Sequence, residues 1–378
     1  MVLINALGSN SGGQLATGDM EDAHYLSKTQ FSPEVNIDTH ATWRVHGGGN
    51  HAYAWTDGGA TLLACGSNSD GELAMGGGRG PVLCWTSVAF PGCLVRQAAC
   101  GWSHTLLLND SGQVYATGSG TFGQLGVGGS QNKWTHVAIP ADTSIVSIAC
   151  GMRHSLALDK DGLVYGWGAN RSGQLGITAT DQRSPNILAP TPISRGLLPI
   201  AMIACGRSHS ILVAKDLRTV YVAGQDKYAQ FGPASSQGTA GSAGWHSFQL
   251  PRAAAKLCSG WDFGAILLES AGSSNVVVWG RADQGQLACK VDDGCCHRRE
   301  LGYVNLPEAS DIVCGSSHVV AMTEAGSVYM WGWNEHGNAG DPVLENVHTP
   351  LLVRHGHGAV SIGCGYGNSY IIELEMGK

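Results

Sequence analysis

Seven times along its 378 residues this chain repeats a short glycine cluster, and that period restricts the fold more than any other feature. The clusters read GGGNH (47–51), CGWSH (100–104), CGMRH (150–154), CGRSH (205–209), SGWDF (259–263), CGSSH (314–318) and CGYGN (364–368), with 50 to 55 residues between neighbours. A unit of this size cannot bury its own apolar faces, so the period signals a propeller or a solenoid. Function in such a ring sits on loop-built faces, above all in the units that depart from the pattern.

A second signature follows each cluster: SNSGGQLATG (9–18), SNSDGELAMG (67–76), SGTFGQLGVG (119–128), ANRSGQLGIT (169–178), QDKYAQFGP (225–233), RADQGQLACK (281–290) and WNEHGNAGD (333–341). Between cluster and signature the pattern is strand, turn, strand, as in 103–108, 109–112 and 113–118. The Leu of each Gly-Gln-Leu is expected to plug between blades, and the Gly before it to allow a tight turn. The predicted architecture is all-β, a seven-bladed β-propeller of four-stranded antiparallel blades forming one domain over 1–378. The chain starts mid-unit, with 2–8 ahead of the first signature, and stops mid-unit after the strand 369–374. The N-terminal strand is therefore expected to complete the last blade and clasp the ring.

Composition narrows the function. The 55 Gly and only 13% charged residues suit short strands joined by tight turns. A net charge of −7 with no Lys/Arg run disfavours direct nucleic-acid binding. The N-terminus does not read as a signal peptide, and no stretch is long and apolar enough to span a bilayer, so no membrane role is expected. Of the twelve Cys, six (Cys100, Cys150, Cys205, Cys258, Cys314, Cys364) read as one repeat position, a small buried hydrophobe too far from its counterparts to form a disulfide. That usage implies a reducing compartment, cytoplasmic and possibly nuclear.

Units of the form CGxxHSLAL followed by GxVYxWGxNxxGQLG resemble the regulator-of-chromosome-condensation family of seven-bladed propellers, across the whole chain. Within it, WGWNEHGNAGD (331–341), CGWSH, SGWDF and WGRADQGQL resemble the branch holding DelGEF-type exchange factors and the fungal alpha-tubulin suppressor, or killer-toxin-insensitivity protein. The compact length resembles the fungal member. That resemblance implies a non-enzymatic binding propeller, without cofactor. Its implied partner is a small zinc-binding electron-carrier protein of the diphthamide pathway, with Elongator as a further partner. The implied role is support of tRNA wobble-uridine modification and diphthamide synthesis. The alternative is a guanine nucleotide exchange factor for a small GTPase.

The repeated His51, His104, His154, His209 and His318 are equivalent residues at blade spacing, so they do not form a catalytic triad with distinct roles. Buried structural histidines satisfying neighbouring polar groups are expected. The variable cluster positions are more informative. Trp102, Arg153, Arg207, Trp261, Asp262 and Tyr366 are expected to form a rosette on one face, with the composition of a binding hot spot. Packing between blades is the plainer alternative. Trp261 and Asp262 stand in the one cluster where Phe263 replaces His, and Asp262 is expected to pair with a cation on the partner. In the last signature Trp331 reads as core, whereas Trp333, Glu335 and His336 read as partner contacts, Glu335 and His336 forming no evident catalytic pair.

Cys289, Cys295, Cys296 and His297 lack the paired spacing of a zinc knuckle and read as a blade insertion, with Asp292, Asp293, Arg298 and Arg299. Exposed, Cys295 and Cys296 could oxidise. The Gly-rich 76–80 lacks a phosphate-loop order. The segments 233–244 and 178–199, the latter with four Pro, read as long connections open to a partner or disordered. An exchange factor calls for a protruding wedge and acidic residues; no extended blade hairpin suited to that is read in the sequence, and Glu34, Asp38 and Asp292–Asp293 are the arguable candidates. A light sensor similar to the plant ultraviolet receptor is disfavoured, because Trp102 and Trp261 lie three blades apart and close stacking is not expected.

Overall fold

A computed structural model describes residues 2–37, 41–56, 59, 61–76, 80–90, 92, 94–140, 143–177, 185–236, 244–270, 275–289, 296–356 and 358–374. Among these, 28 strands form seven four-stranded antiparallel sheets. The first six blades run in chain order from inner to outer strand, and their inner strands are Trp43–Gly47, Val95–Cys100, Ile145–Cys150, Ile200–Cys205, Ala254–Ser259 and Ala309–Cys314. The seventh takes Ala359–Cys364 and Asn368–Leu374 from the C-terminus and Val2–Gly8 and Ala23–Lys28 from the N-terminus. Each inner strand touches the next around the ring, so the propeller is closed.

The clasp is a continuous ladder. Val2–Gly8 pairs with Asn368–Leu374 from Val2↔Leu374 to Gly8↔Asn368 without a register shift. Val2, Ile4 and Leu7 are buried there. The clasp supplies both outer strands of the seventh blade, one more than the sequence suggests.

Each signature does the work expected of it. Leu15, Leu73, Leu125, Leu175, Phe231, Leu287 and Ala339 are buried. The residue two places earlier turns the chain with positive φ, from +74° at Gly173 to +85° at Gly71, and Ala229 adopts the same conformation at 59°. The Gln of the signature joins blades through its carbonyl oxygen. Trp167 Nε1 donates to Gln124 O at 2.8 Å, Trp279 Nε1 to Gln230 O at 2.8 Å and Trp331 Nε1 to Gln286 O at 3.1 Å. Trp331 is core as expected.

Two expected connections change. Ile187–Pro192 is the outer strand of the third blade, where Pro190 and Pro192 are tolerated because an outermost strand has one unpaired edge. Gly232–Ser236 is a short 3-10 turn rather than open loop. The candidates Asp38, Asp292, Asp293 and Cys295, and segments 178–184 and 237–243, lie outside the described residues.

Candidate functional site

The glycine clusters are the turns that lead from inner strands into second strands, so all seven crowd around the axis at one end of the channel. A chain of backbone hydrogen bonds links them. Trp102 N donates to Met152 O, Arg207 N to Trp261 O, Trp261 N to Ser316 O, Ser316 N to Tyr366 O, Tyr366 N to Gly48 O and Gly49 N to Gly101 O. Each turn is thus held by its neighbour rather than by its own blade alone.

The histidines fasten the ring beneath the turns. His51 Nε2 lies 2.9 Å from Thr105 Oγ1, His104 Nε2 3.1 Å from Ser155 Oγ, His154 Nε2 3.1 Å from Ser210 Oγ and His318 Nε2 3.0 Å from Ser369 Oγ. Each hydroxyl already donates its hydrogen to a signature carbonyl: Glu72, Gln124, Gln174 or Asn338. The hydroxyl oxygen must therefore accept from Nε2–H, which fixes the tautomer. Nδ1 is left buried without a partner in all five histidines. Burial pushes His51, His104 and His154 down to about 3 and His209 and His318 down to about 4, so all five are neutral near pH 7.

The pairing was visible in the sequence. Where Phe263 or Asn368 replaces His, the next blade carries Val319 or Ala52 where a hydroxyl would be. His209 faces Gly264 and pairs instead with Ser259 Oγ at 3.1 Å. A Cβ on Gly264 would stand 2.3 Å from the buried Trp279, which excludes serine there.

The side chains above this ring form the rosette. Trp102 and Trp261, from blades on opposite sides of the axis, meet with ring centroids 5.9 Å apart. Tyr366 stacks on Trp102 at 6.1 Å and sits edge-on to Trp261 at 5.6 Å. The expectation that these tryptophans stay apart is corrected: three blades of sequence separation become contact where the turns converge on the axis. Trp102 remains 39% exposed, so the cluster caps the channel and faces solvent. Arg207 is exposed, with its guanidinium 5.6 Å from the Trp261 ring. Trp333 joins the cluster from the last signature, and these residues surround a depression of about 240 Å³ with Arg281, Ser316 and Ser317 in its wall.

The other candidates divide. Arg153 is exposed, 4.3 Å over the Phe122 ring, at the rim of the same face. Asp262 is turned inward and buried. Its carboxylate accepts from Gln230 Nε2 at 3.1 Å and faces Arg281 at 3.6 Å, so an internal cation takes the place of the expected partner cation. Arg281, missed in the sequence, also makes a two-pronged pair with Asp283 at 2.7 and 2.8 Å. Glu335 is exposed, whereas His336 Nδ1 lies 2.6 Å from Asp22 Oδ2 and packs edge-on against Trp333 at 5.1 Å. The adjacent Glu335 and His336 therefore serve different neighbours. Glu34 is exposed and accepts from Ser32 Oγ at 2.7 Å.

Residues 4–371 match the RCC1-like domain. The chain belongs to the RCC1-like domain family. The secretion-regulating guanine nucleotide exchange factor of Mus musculus is 32% identical over 405 residues, spanning 97% of this chain and 82% of that protein. Its Bos taurus counterpart is 33% identical, spanning 96% and 82%. In fold, this RCC1-like propeller superposes on Saccharomyces cerevisiae Prp20p with a TM-score of 0.85, at 21% identity, covering 100% of this chain and 92% of that one.

These findings correct the expected function. The expected partner rested on short motifs, whereas the relatives matched along nearly the whole chain are named as guanine nucleotide exchange factors. The zinc-binding electron-carrier partner, Elongator and diphthamide synthesis find no support and give way to the alternative.

Proposed function

We propose that this RCC1-like propeller is a guanine nucleotide exchange factor for a small GTPase, docking through the rosette face. The observation that carries the reading is the near-complete alignment, at 32–33% identity, with two mammalian proteins named for that activity. An exchange factor speeds release of bound nucleotide by stabilising the nucleotide-free GTPase, and no covalent bond is made or broken. It therefore needs a rigid, complementary surface rather than catalytic side chains. The rosette fits that need. Its turns are cross-linked by backbone hydrogen bonds, and its aromatic centre is flanked by the exposed Arg153 and Arg207. Aromatic and arginine side chains dominate the energetics of such interfaces. The protein would act in the cytoplasm or nucleus, where structural disulfides are rare.

The test is release of a fluorescent GDP analogue from a panel of small GTPases covering each branch of that superfamily. One member should exchange faster with the propeller present. Trp102→Ala should weaken that effect about 30-fold, the equivalent of about 2 kcal/mol at an interface centre. Acceleration of none of the panel would remove the exchange-factor reading. Acceleration unchanged by Trp102→Ala would remove the rosette as its docking face.

A further inference from the structure

The fifth blade breaks the cysteine pattern by one residue. Ser259, not Cys258, pairs with Gly264 as Cys100 pairs with Thr105 and Cys314 with Val319. Ser259 is thus the true counterpart of the other cysteines, and Cys258 stands one place earlier. A one-residue offset in a strand reverses the side chain's direction. The repeat cysteines reach back toward the preceding blade, as Cys100 Sγ does to His46 O at 3.4 Å and Cys150 Sγ to Ala99 O at 3.3 Å. Cys258 reaches forward, its Sγ 3.2 Å from Ile312 O of the sixth blade. Cys258 therefore points across the seam to the strand that carries Cys314, and both residues line the same channel cavity. This corrects the reading of all six cysteines as one repeat position: five share it and Cys258 does not.

The surroundings make the pair asymmetric. Both residues are half-buried and line a channel cavity of about 410 Å³ beneath the aromatic cap. Lys256, two residues before Cys258 and so on the same side of the strand, forms an ion pair with Asp311 in that cavity. The neighbouring Cys314 and the Lys256 ammonium lower the Cys258 thiol against its own burial, while burial pushes Cys314 well up. The surroundings thus favour attack by the Cys258 sulfur over the Cys314 sulfur.

We propose that Cys258 and Cys314 form a dithiol site, oxidised by hydrogen peroxide entering the channel, that closes into a disulfide between the fifth and sixth blades. The Cys258 thiolate attacks one peroxide oxygen, breaking the O–O bond and giving a sulfenic acid and hydroxide. The Cys314 sulfur then attacks the Cys258 sulfur, the S–O bond breaks, and the Cys314 proton leaves with that oxygen as water. One peroxide is reduced by two electrons as two thiols become one disulfide. The exposed Cys296 has no thiol partner of this kind among the described residues and serves as the internal comparison.

The experiment treats the full-length protein with limiting hydrogen peroxide, quenches with an alkylating reagent, and maps peptides by mass spectrometry without reduction. A peptide pair joined through Cys258 and Cys314 should appear at least tenfold faster than oxidation of Cys100. Cys314→Ser should abolish the link and leave a sulfenic acid on Cys258, trapped by dimedone. Cys258→Ser should abolish both signals. Oxidation confined to Cys296, or equal rates at Cys258 and Cys100 in the unmutated protein, would overturn the proposal whether or not the variants fold.

Discussion

Acid should unfold this propeller abruptly, and the five ring histidines set the scale. Each is neutral in the folded ring, at about 3 to 4, and has an ordinary value of 6.5 once the chain unfolds. Below 6.5 the unfolded state binds protons that the folded state refuses, so stability falls as pH falls, down toward the folded values. The contribution is fully present above 6.5. Each proton is worth about 1.4 kcal/mol per pH unit, so five together give a slope of about 7 kcal/mol per unit. Between pH 7 and 5.5 the loss is about 6 kcal/mol, comparable with the whole stability of many domains, about 5–15 kcal/mol. Burial also drives His46 down to about 4, which adds a sixth histidine, whereas Glu72 opposes weakly because burial raises its carboxyl. Thermal melts from pH 7.5 to 5, with calorimetry in buffers of different ionisation enthalpy, give the proton uptake on unfolding. With His46 included, about five to six protons are expected at pH 5.5. The double variant His104→Phe with Ser155→Val copies the Phe263–Val319 pairing of the fifth and sixth blades, and should lower the uptake by one. An uptake of one proton or fewer, or no change in the double variant, would refute buried neutral histidines as the fasteners of the ring.

Two further outcomes test the architecture. Deleting Met1–Leu7 strips the clasp and exposes the surface that Val2, Ile4 and Leu7 cover, a loss of about 6 kcal/mol at about 2 kcal/mol per side chain; the truncated chain should lose its cooperative melt, and a melt matching the full chain would contradict ring closure through the termini. Among the signature glycines, Gly173→Ala should cost only about 1 kcal/mol, since its φ is +74° but a Cβ meets open space, whereas Gly71→Ala should cost about 3 kcal/mol or more, because its Cβ would stand 2.6 Å from Asn132 Cα; equal denaturation midpoints for the two variants would show that backbone conformation alone sets the cost.

The sequence by itself determined the ring. Its period gave the blade number, its signatures gave the turns and the inter-blade plugs, and its split terminal unit gave the clasp. Each of these rests on local backbone geometry or on a residue repeated at a fixed offset, which a linear reading can follow. Even the histidine fasteners left a trace, since Ser or Thr follows in the next blade after four of the five and is missing after Phe263 and Asn368. Tertiary structure decided what happens at the axis. Trp102, Trp261 and Tyr366 are distant along the chain and converge only because seven turns crowd into one small circle. Whether Asp262 faced a partner or Arg281 depended on the direction of one side chain beside a neighbouring signature. The one-residue offset of Cys258 was present in the sequence, but its meaning appeared only when the next blade supplied Cys314 across the seam. Repetition fixes which atoms share a height in the ring, and closure fixes which of them touch.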